Sequence, residues 1–307
     1  MQGPVLLYLQ LGQSARAMSR DLPVIALGRA RGWPMVAHVH GGGFRAAYDA
    51  CPPGLQRAVR WGLEQLDRVV VLSPALRPLF AGLVAPQRIR CIPNGVEEEL
   101  QMRARAKGAS VRSTDALKVL YLSNLIASKG YGVVLEAARR SARRGYPHRF
   151  VLAGSPSGEM DIDPAAFVAE PGLTNVEPPG PVSGRAKYEL FEAADAFVLP
   201  TRYPVEGQPI SILEAFHFGL PVITTRAGGI QDVVRDGDNG LLIEPEDPDA
   251  LVRSVEHLAA NPAVRQAMAD NNRAQAGAHY TTAAHGEAMI GLLAEVAESS
   301  FAVARAG

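Results

Sequence analysis

The chain has 307 residues, of which 47% are hydrophobic and 20% charged, and its formal net charge is zero. This composition excludes a disordered chain, and the length leaves room for two α/β domains. No apolar run reaches the ~18 residues that a membrane span needs, and the N-terminus lacks the pattern of a signal peptide. Cys51 and Cys91 have no metal-like spacing, so we predict buried thiols and a reducing, cytoplasmic compartment.

The charges are unevenly distributed along the chain. Residues 1–115 hold 15 Lys and Arg against 8 Asp and Glu. Two alternatives fit this basic half: ordinary solvated arginines, or contact with an anionic membrane surface or an anionic acceptor. Arginine pairs on the predicted helix 131–144 have the same two interpretations. We expect no nucleic-acid partner.

The first half of the chain alternates apolar runs with helical periodicity, which predicts a parallel sheet. The predicted strands lie at 5–9, 34–40, 67–73 and 88–92, and the predicted helices at 14–30 and 55–66.

A histidine stands at the C-terminal end of the second predicted strand. His40 comes directly before three glycines, at the end of a strand where open α/β sheets bind ligands. We therefore favour a functional role for His40 over a structural bond to the glycine turn. His38 is predicted to point to the opposite face and to be structural.

A turn at Pro93-Asn94-Gly95-Val96 is followed by a polar, basic stretch with no sheet pattern, at about 100–115. We interpret that stretch as an interdomain linker. The predicted division is an N-terminal domain at 1–108, a linker at 109–116, a C-terminal domain at 117–276, and a final helical segment at 277–307.

The second half again alternates strands with helices, so the fold class is α/β. Strands are predicted at 117–123, 148–153, 175–177, 195–200 and 221–225, and helices at 131–144, 185–194, 210–220, 247–260, 262–276 and 285–298. A loop from Asn124 to Gly130 joins the first of these strands to its helix. Lys129 lies at the N-terminus of that helix, where the lysine charge and the helix dipole favour the same anion, such as a diphosphate.

The stretch from Arg202 to Phe216 forms a strand-to-helix turn. Glu206 lies in the turn and Glu214 about two turns into the helix. Gly207 lets the backbone approach whatever lies above it. The first N–H groups of the helix, near Pro209, are predicted to favour a phosphate.

The pattern Glu206-Gly207-x-Pro209-x4-Glu214-Ala215, followed by Gly219-Leu220-Pro221-Val222, resembles the signature of retaining nucleotide-sugar glycosyltransferases of family 4. The resemblance covers nearly the whole chain. It implies a GT-B-like fold of two Rossmann-like domains with parallel sheets, which face each other across a cleft. We expect the first βα units usual in the family to be missing here, which makes the N-terminal domain at 1–108 a shortened, truncated one. The resemblance also implies that the helix at 277–307 crosses back to that domain.

The resemblance also implies roles for single residues. Glu206 would orient the transferred sugar, His40 would contact the sugar or the acceptor, Lys129 would hold the diphosphate, and Glu214 would bind the ribose hydroxyls. Asn124 stands where the family has an arginine, so it brings no charge. Backbone groups are expected to make the remaining donor contacts, at Gly207, Gln208, Pro209 and Ile210, at Pro181 and Val182, and at Gly154.

The expected function is transfer of a hexose from a UDP- or GDP-sugar to a glycan, lipid-linked or small-molecule hydroxyl, with retention and without metal or cofactor. The alternative is a non-catalytic nucleotide-sugar-binding subunit that needs a partner chain or a second copy. An epimerase on the same fold is disfavoured, because the Glu-x7-Glu turn is a transferase feature. The expected location is the cytoplasm, with association at the inner face of the membrane as a variant.

Overall fold

A computed structural model describes residues 5–108, 110–112, 114–157, 162–169 and 173–306. The chain divides into two compact units. The first unit comprises Met1–Asn94, Pro204–Gln208 and Ala283–Gly307, and the second comprises Gly95–Tyr203 and Pro209–Thr282.

The first unit is built on a four-stranded parallel sheet in the order β1-β2-β3-β4. Its strands are β1 Leu7–Gln10, β2 Met35–Val39, β3 Arg68–Val71 and β4 Ile89–Cys91. Three helices follow in this part of the chain, α1 Ala15–Ala30, α2 Phe44–Asp49 and α3 Pro53–Gln65. Every residue of β2 is buried, as expected for a strand that is covered on both faces.

Local sequence explains the first helix. The Ser14 side chain accepts a hydrogen bond from the Ala17 N–H and caps α1. Pro23 lies inside the helix without ending it. Helix α2 was not predicted; it is six residues long and begins directly after the glycines that follow β2. Cys51 is buried as expected, whereas Cys91 is only half-buried, because it lies on β4 at the sheet edge.

The second unit is built on a six-stranded parallel sheet in the order β10-β9-β8-β5-β6-β7. Its strands are β5 Lys118–Leu122, β6 Arg149–Ala153, β7 Val176–Gly180, β8 Ala196–Leu199, β9 Val222–Thr224 and β10 Gly240–Leu242. Its helices are α4 Glu98–Lys107, α5 Tyr131–Arg143, α6 Pro164–Val168, α7 Gly184–Ala193, α8 Ile210–His217, α9 Pro248–Ala260 and α10 Pro262–His279. The order reverses between β5 and β8, the switch point where doubly wound sheets bind ligands.

The predicted linker differs most from the structure. The first unit ends at Asn94 rather than at residue 108, and α4 occupies the polar stretch that follows. Leu100 and Ala104 are buried on one face of α4, which packs against α7 and α8. Farther along, Arg112 pairs with Asp195. Residues 109 and 113 of the predicted linker lie outside the described residues.

The last helix, α11 Thr282–Ala306, belongs almost entirely to the first unit. Met289, Leu292 and Val296 recur at helical spacing and form a hydrophobic cluster with sheet residues Val36 and Val70. This face of the sheet is therefore closed by the end of the chain. Among the described residues, no helix is both long and apolar enough to cross a membrane.

Candidate functional site

The loops that follow β5 and β8 are held together at the switch point of the second unit. The Arg202 N–H donates to the Ser128 carbonyl at 2.8 Å, and the Thr201 hydroxyl donates to the same oxygen at 3.3 Å. Gly130 has a positive φ of 82°, and a Cβ there would lie 2.2 Å from the Pro200 carbonyl oxygen. The glycine is therefore needed both for the left-handed turn and for the close approach of the two loops.

Lys129 lies at the centre of this junction. It ends a short 3-10 turn, and α5 begins two residues later. Its ammonium lies 4.6 Å from the centroid of the Tyr203 ring, a cation–π contact that restrains the side chain. This places a cation beside the N-terminus of a 13-residue helix at the switch point, an arrangement that suits an anionic ligand.

Asn124 lies in the same loop, five residues before Lys129, and is exposed. Its carbonyl accepts hydrogen bonds from the Tyr121 hydroxyl at 3.2 Å and from the Ile126 N–H at 2.9 Å. The backbone of the loop is thus fixed at the position where the charge of an arginine is lacking.

Gly154 follows β6, and its glycine requirement comes from the protein itself. A Cβ at this position would lie 1.8 Å from the Ser123 carbonyl oxygen. The Gly154 N–H donates to the Gly180 carbonyl at 3.0 Å, so it is not available for the ligand contact that the sequence suggested. Pro181, which is exposed, and Val182, which is half-buried, follow β7 and lead into α7.

Glu214 lies on α8 and is 5% exposed. Its Oε1 lies 2.7 Å from the Lys187 ammonium, which also lies 2.9 Å from Oε1 of Glu97. Burial raises the pKa of the Glu214 carboxyl, and Lys187 partly opposes that rise. Neither Lys187 nor Glu97 was singled out by sequence, since they are 27 and 117 residues from Glu214 along the chain.

The N-terminus of α8 offers fewer donors than the sequence suggested. The helix begins at Ile210, with Pro209 at the N-cap, and a proline has no N–H. The Ile212 N–H donates to the Pro209 carbonyl at 3.2 Å. The first turn therefore leaves the N–H groups of Ile210 and Ser211 as the candidate anion donors, and the Ile210 side chain itself is exposed.

The turn 204–208 packs within the first unit against the glycines that follow β2. The Gly42 N–H donates to the Val205 carbonyl at 3.0 Å. A Cβ on Gly207 would lie 2.4 Å from the His40 carbonyl oxygen, and a Cβ on Gly42 would lie 2.7 Å from the Glu206 carbonyl oxygen. The backbone that approaches Gly207 is therefore the histidine turn, and Glu206 is buried beside it, only 5% exposed.

Asn94 makes hydrogen bonds to both the side chain and the backbone of Gln208. The Asn94 N–H donates to the Gln208 side-chain oxygen at 2.8 Å, and the Asn94 side chain donates to the Gln208 carbonyl at 3.1 Å. These bonds fix the end of the turn. Each of these two oxygens accepts one hydrogen bond, and the donor contact predicted for Gln208 stays a prediction.

Three histidines gather at the carboxyl end of β2. The ring of exposed His40 lies 4.0 Å from that of buried His38, and His285 of α11 lies 6.2 Å from His38. The prediction that His38 faces the opposite side was wrong, because residues two apart on a strand share a face. His38 accepts or donates at Nδ1 with the Tyr8 hydroxyl, at 2.7 Å.

His38 and His40 are neutral at pH 7 because their pKa values lie below the ordinary value of 6.5. Burial, followed by His40 and His285, lowers the pKa of His38 to about 3. Burial and His285 also lower the pKa of His40. His40 therefore presents a neutral imidazole that can both donate and accept a hydrogen bond. Among the described residues, no group of three or more His, Cys, Asp or Glu side chains is arranged to hold a metal ion.

Comparisons with known proteins agree with these features. Residues 102–275, more than half of the chain, match the family described as "Glycosyl transferases group 1", and residues 11–95 match the "Glycosyl transferase 4-like domain". The structure of Anabaena Alr3699/HepE in complex with UDP superposes with a TM-score of 0.76 at 17% identity, over 94% of this chain and 79% of that one. The predicted GT-B-like fold class is confirmed.

Curated relatives are more similar in sequence. The D-inositol 3-phosphate glycosyltransferase 1 of Catenulispora acidiphila is 28% identical over 256 residues, 76% of this chain and 60% of the relative. The GDP-mannose:cellobiosyl-diphosphopolyprenol alpha-mannosyltransferase of Xanthomonas oryzae pv. oryzae is 29% identical over 231 residues, 74% of this chain and 59% of the relative. The chain spans 41% to 60% of the length of the curated relatives that it matches. With a family match over more than half of its length, this chain belongs to the group 1 glycosyltransferases.

Proposed function

We propose that the chain is a retaining, metal-independent glycosyltransferase that moves a hexose from a UDP- or GDP-sugar to a hydroxyl of a glycan, a lipid-linked sugar or a small molecule. The observation that carries the proposal is the position of Lys129. The residue comes two positions before the start of α5, at the switch point of a six-stranded doubly wound sheet, on a loop that is hydrogen-bonded to the loop after β8. A diphosphate is the ligand chemistry that fits this position.

The second unit supplies the groups for the donor nucleotide. Lys129 stabilises the negative charge that develops on the leaving diphosphate, together with the Ile210 N–H and the Asn124 side chain. Glu214 accepts hydrogen bonds from the two ribose hydroxyls, since a carboxylate oxygen has two lone pairs. The backbone at Pro181 and Val182 contacts the base.

The first unit supplies the groups for the transferred sugar. Glu206 holds sugar hydroxyls and fixes the orientation of the anomeric carbon. Neutral His40 donates a hydrogen bond to the sugar or to the acceptor. In the reaction the bond between the anomeric carbon and the diphosphate oxygen breaks. The acceptor oxygen bonds to the same carbon on the same face, and the departing phosphate oxygen takes the acceptor proton.

The names of the relatives support this substrate class. One is named for GDP-mannose and a diphosphopolyprenol-linked acceptor, and another for an inositol phosphate acceptor. The superposed cyanobacterial protein was crystallised with UDP. A lipid-linked acceptor would bring the chain to the inner face of the membrane. We therefore propose a cytoplasmic location, with association at the inner face of the membrane as the alternative.

The arginines of α5 argue against that helix as the membrane contact. Arg139 and Arg140 pair with Glu136 at 2.8 and 2.9 Å, and Arg144 pairs with Asp249 at 2.7 Å. Two carboxylates thus neutralise part of the charge of these three arginines. If the chain does contact a membrane, the basic first unit is the better candidate.

The test is a donor panel. Purified protein is incubated with UDP- and GDP-linked hexoses, with acceptor sugars and with EDTA, and release of free nucleotide is measured. We expect turnover with one donor class, unchanged by EDTA, with the anomeric configuration retained in the product. If the chain binds nucleotide without turnover, and a second protein from the same source restores the turnover, the result would instead favour the binding-subunit alternative. Absence of any nucleotide binding would contradict both.

A further inference from the structure

Three helices of the second unit bring together two carboxylates and one ammonium. Lys187 on α7 lies 2.7 Å from Oε1 of Glu214 on α8 and 2.9 Å from Oε1 of Glu97, the N-cap residue of α4. The side chain of Lys187 is 18% exposed and that of Glu214 is 7% exposed, whereas that of Glu97 is 51% exposed. The inner half of this cluster is therefore largely removed from water, and its outer half is solvated.

The cluster is built around Glu214. Burial raises the pKa of its carboxyl, so without a counter-charge the carboxylate would be costly to keep ionised. Lys187 supplies that charge, and the hydrogen bonds to Glu214 and Glu97 raise the pKa of its ammonium against the opposing effect of burial. Glu97 in turn restrains the ammonium from the solvent side.

Lys187 contacts one of the two carboxylate oxygens of Glu214. Lys187 contacts Oε1, and within the described residues no hydrogen bond is made to Oε2. A carboxylate held by one oxygen on a half-buried lysine has a fixed plane, and its second oxygen keeps both lone pairs for a ligand. Such a group is preorganised to accept hydrogen bonds from a vicinal diol.

We propose that Lys187 is a positioning residue, held in place by Glu97, that sets the orientation and ionisation of Glu214 for the ribose of the donor nucleotide. The inference rests on the proposed function of Glu214 and adds two residues that act through it. Lys187 also lies on the helix that directly follows Pro181 and Val182. The group that orients the ribose contact is therefore on the helix that comes next in the chain after the backbone expected to contact the base.

Because Glu214 is expected to bind the ribose hydroxyls, the experiment compares ribonucleotides with 2′-deoxyribonucleotides, which lack one of them. Calorimetry measures the Kd of UDP, GDP and their 2′-deoxy counterparts for the whole chain and for its variants. For the wild type we expect the preferred ribonucleotide to bind about tenfold more tightly than its deoxy form, as for the loss of one charge-assisted hydrogen bond. Lys187→Met should reduce that ratio to near one. It should weaken deoxyribonucleotide binding less than ribonucleotide binding, because deoxyribose keeps only one of the two hydroxyls that donate to Glu214.

Three further variants should change the affinity ratio by smaller amounts or not at all. Lys187→Gln, which keeps a hydrogen-bond donor without charge, should retain part of the ratio and serves if Lys187→Met does not fold. Glu97→Gln should reduce the ratio only about twofold, because its charge is half exposed. Lys118→Met is the matched control, since Lys118 is also a partly buried lysine of this unit paired with a glutamate, Glu177, at 3.2 Å. It should leave the ratio at the wild-type value.

The outcomes separate the inference from the function on which it rests. If the wild type binds no nucleotide, the proposed function fails and the inference with it. If the wild type prefers the ribonucleotide and Lys187→Met and Lys187→Gln keep the full ratio, the positioning role alone is wrong. Tighter ribonucleotide binding by Lys187→Met would also overturn it, because Lys187 would then compete with the ribose for Glu214.

Discussion

The two groups of candidate residues differ in how they are held. In the second unit, Lys129, Lys187 and Glu214 are charged and are fixed by electrostatic contacts with other side chains. In the first unit, His40 is neutral at pH 7, and the turn that carries Glu206 is fixed by close contact of glycine backbones. A lysine suits a diphosphate and a carboxylate suits the ribose hydroxyls, whereas a neutral imidazole and a rigid turn suit the hydroxyls of a sugar.

The largest effect is expected from removing the charge of Lys129 at the switch point of the second unit. Lys129→Ala should lower turnover about 100-fold, because a cation that stabilises a developing charge acts mainly in the transition state. Steady-state kinetics with the preferred donor measures it. Lys118→Ala is the control, since Lys118 lies at the N-terminal end of β5, the strand that precedes the loop of Lys129. An equal loss in both variants would contradict the special role of Lys129.

In the first unit the sharpest change is steric. Gly207→Ala places a methyl group against the His40 carbonyl oxygen, and we expect a loss of about 1–3 kcal/mol in the free energy of unfolding. Trp33 and Trp61, the only tryptophans, both lie in the first unit, so their fluorescence follows its unfolding. Gly54→Ala on α3, where a methyl group meets nothing within 4 Å, should be neutral or stabilising. Equal stability of the Gly207 variant and the wild type would show that the turn can shift.

The neutrality of the histidines predicts a dependence on pH. Folded His38 stays neutral down to about pH 3, whereas in the unfolded chain it is protonated below its ordinary pKa of 6.5. The unfolded state thus binds more protons between these values, so stability is lost as the pH falls below about 6.5. We expect the tryptophan-detected Tm to fall by roughly 5 °C from pH 7 to pH 5.

The groups that face His38 are Tyr8, His40 and His285, and the two histidines add to the penalty for a further proton. His38→Phe should therefore remove most of the fall in Tm on acidification. His257→Gln, at an exposed position on α9, is the control and should leave the fall unchanged. A fall that persists in His38→Phe would assign the pH dependence to other groups.

The smallest expected effect comes from restoring a charge. Asn124→Arg adds a cation to an exposed loop position beside Lys129, and it should strengthen binding of UDP or GDP about threefold. The gain should shrink at high salt, because an exposed charge is screened. Calorimetry of Asn124→Arg and Asn124→Gln at two ionic strengths measures it. A gain in the glutamine variant as well would exclude charge as the cause.

Local patterns predicted the parts of the fold that depend on neighbouring residues. The alternation of strands and helices, the end of β2 at His40 and the position of Lys129 before a helix all follow from periodicity over a few residues. Helix α4 was also predictable, since its residues include good helix formers, acids in the first turn and bases in the last. The linker prediction for this stretch was wrong because the lack of a sheet pattern does not exclude a helix.

Other features depend on contacts that no local pattern contains. The bonds between Asn94 and Gln208 join residues 114 apart, and Lys187 reaches both Glu97 and Glu214 from a different helix. The sequence indicated why Gly207 must be a glycine, but not that its neighbour is the His40 turn. Packing of distant segments decides such partners, and a single sequence records only the outcome.

Residues 204–208 constrain the design of hybrid enzymes. The turn belongs to the first unit although the residues on both sides of it belong to the second. A hybrid enzyme that takes its first unit from another glycosyltransferase must therefore receive three grafts, Met1–Asn94, Pro204–Gln208 and Ala283–Gly307. A single crossover after Asn94 would place a foreign glycine turn against the native Val205 and Gly207, and the match between the two backbones would be left to chance.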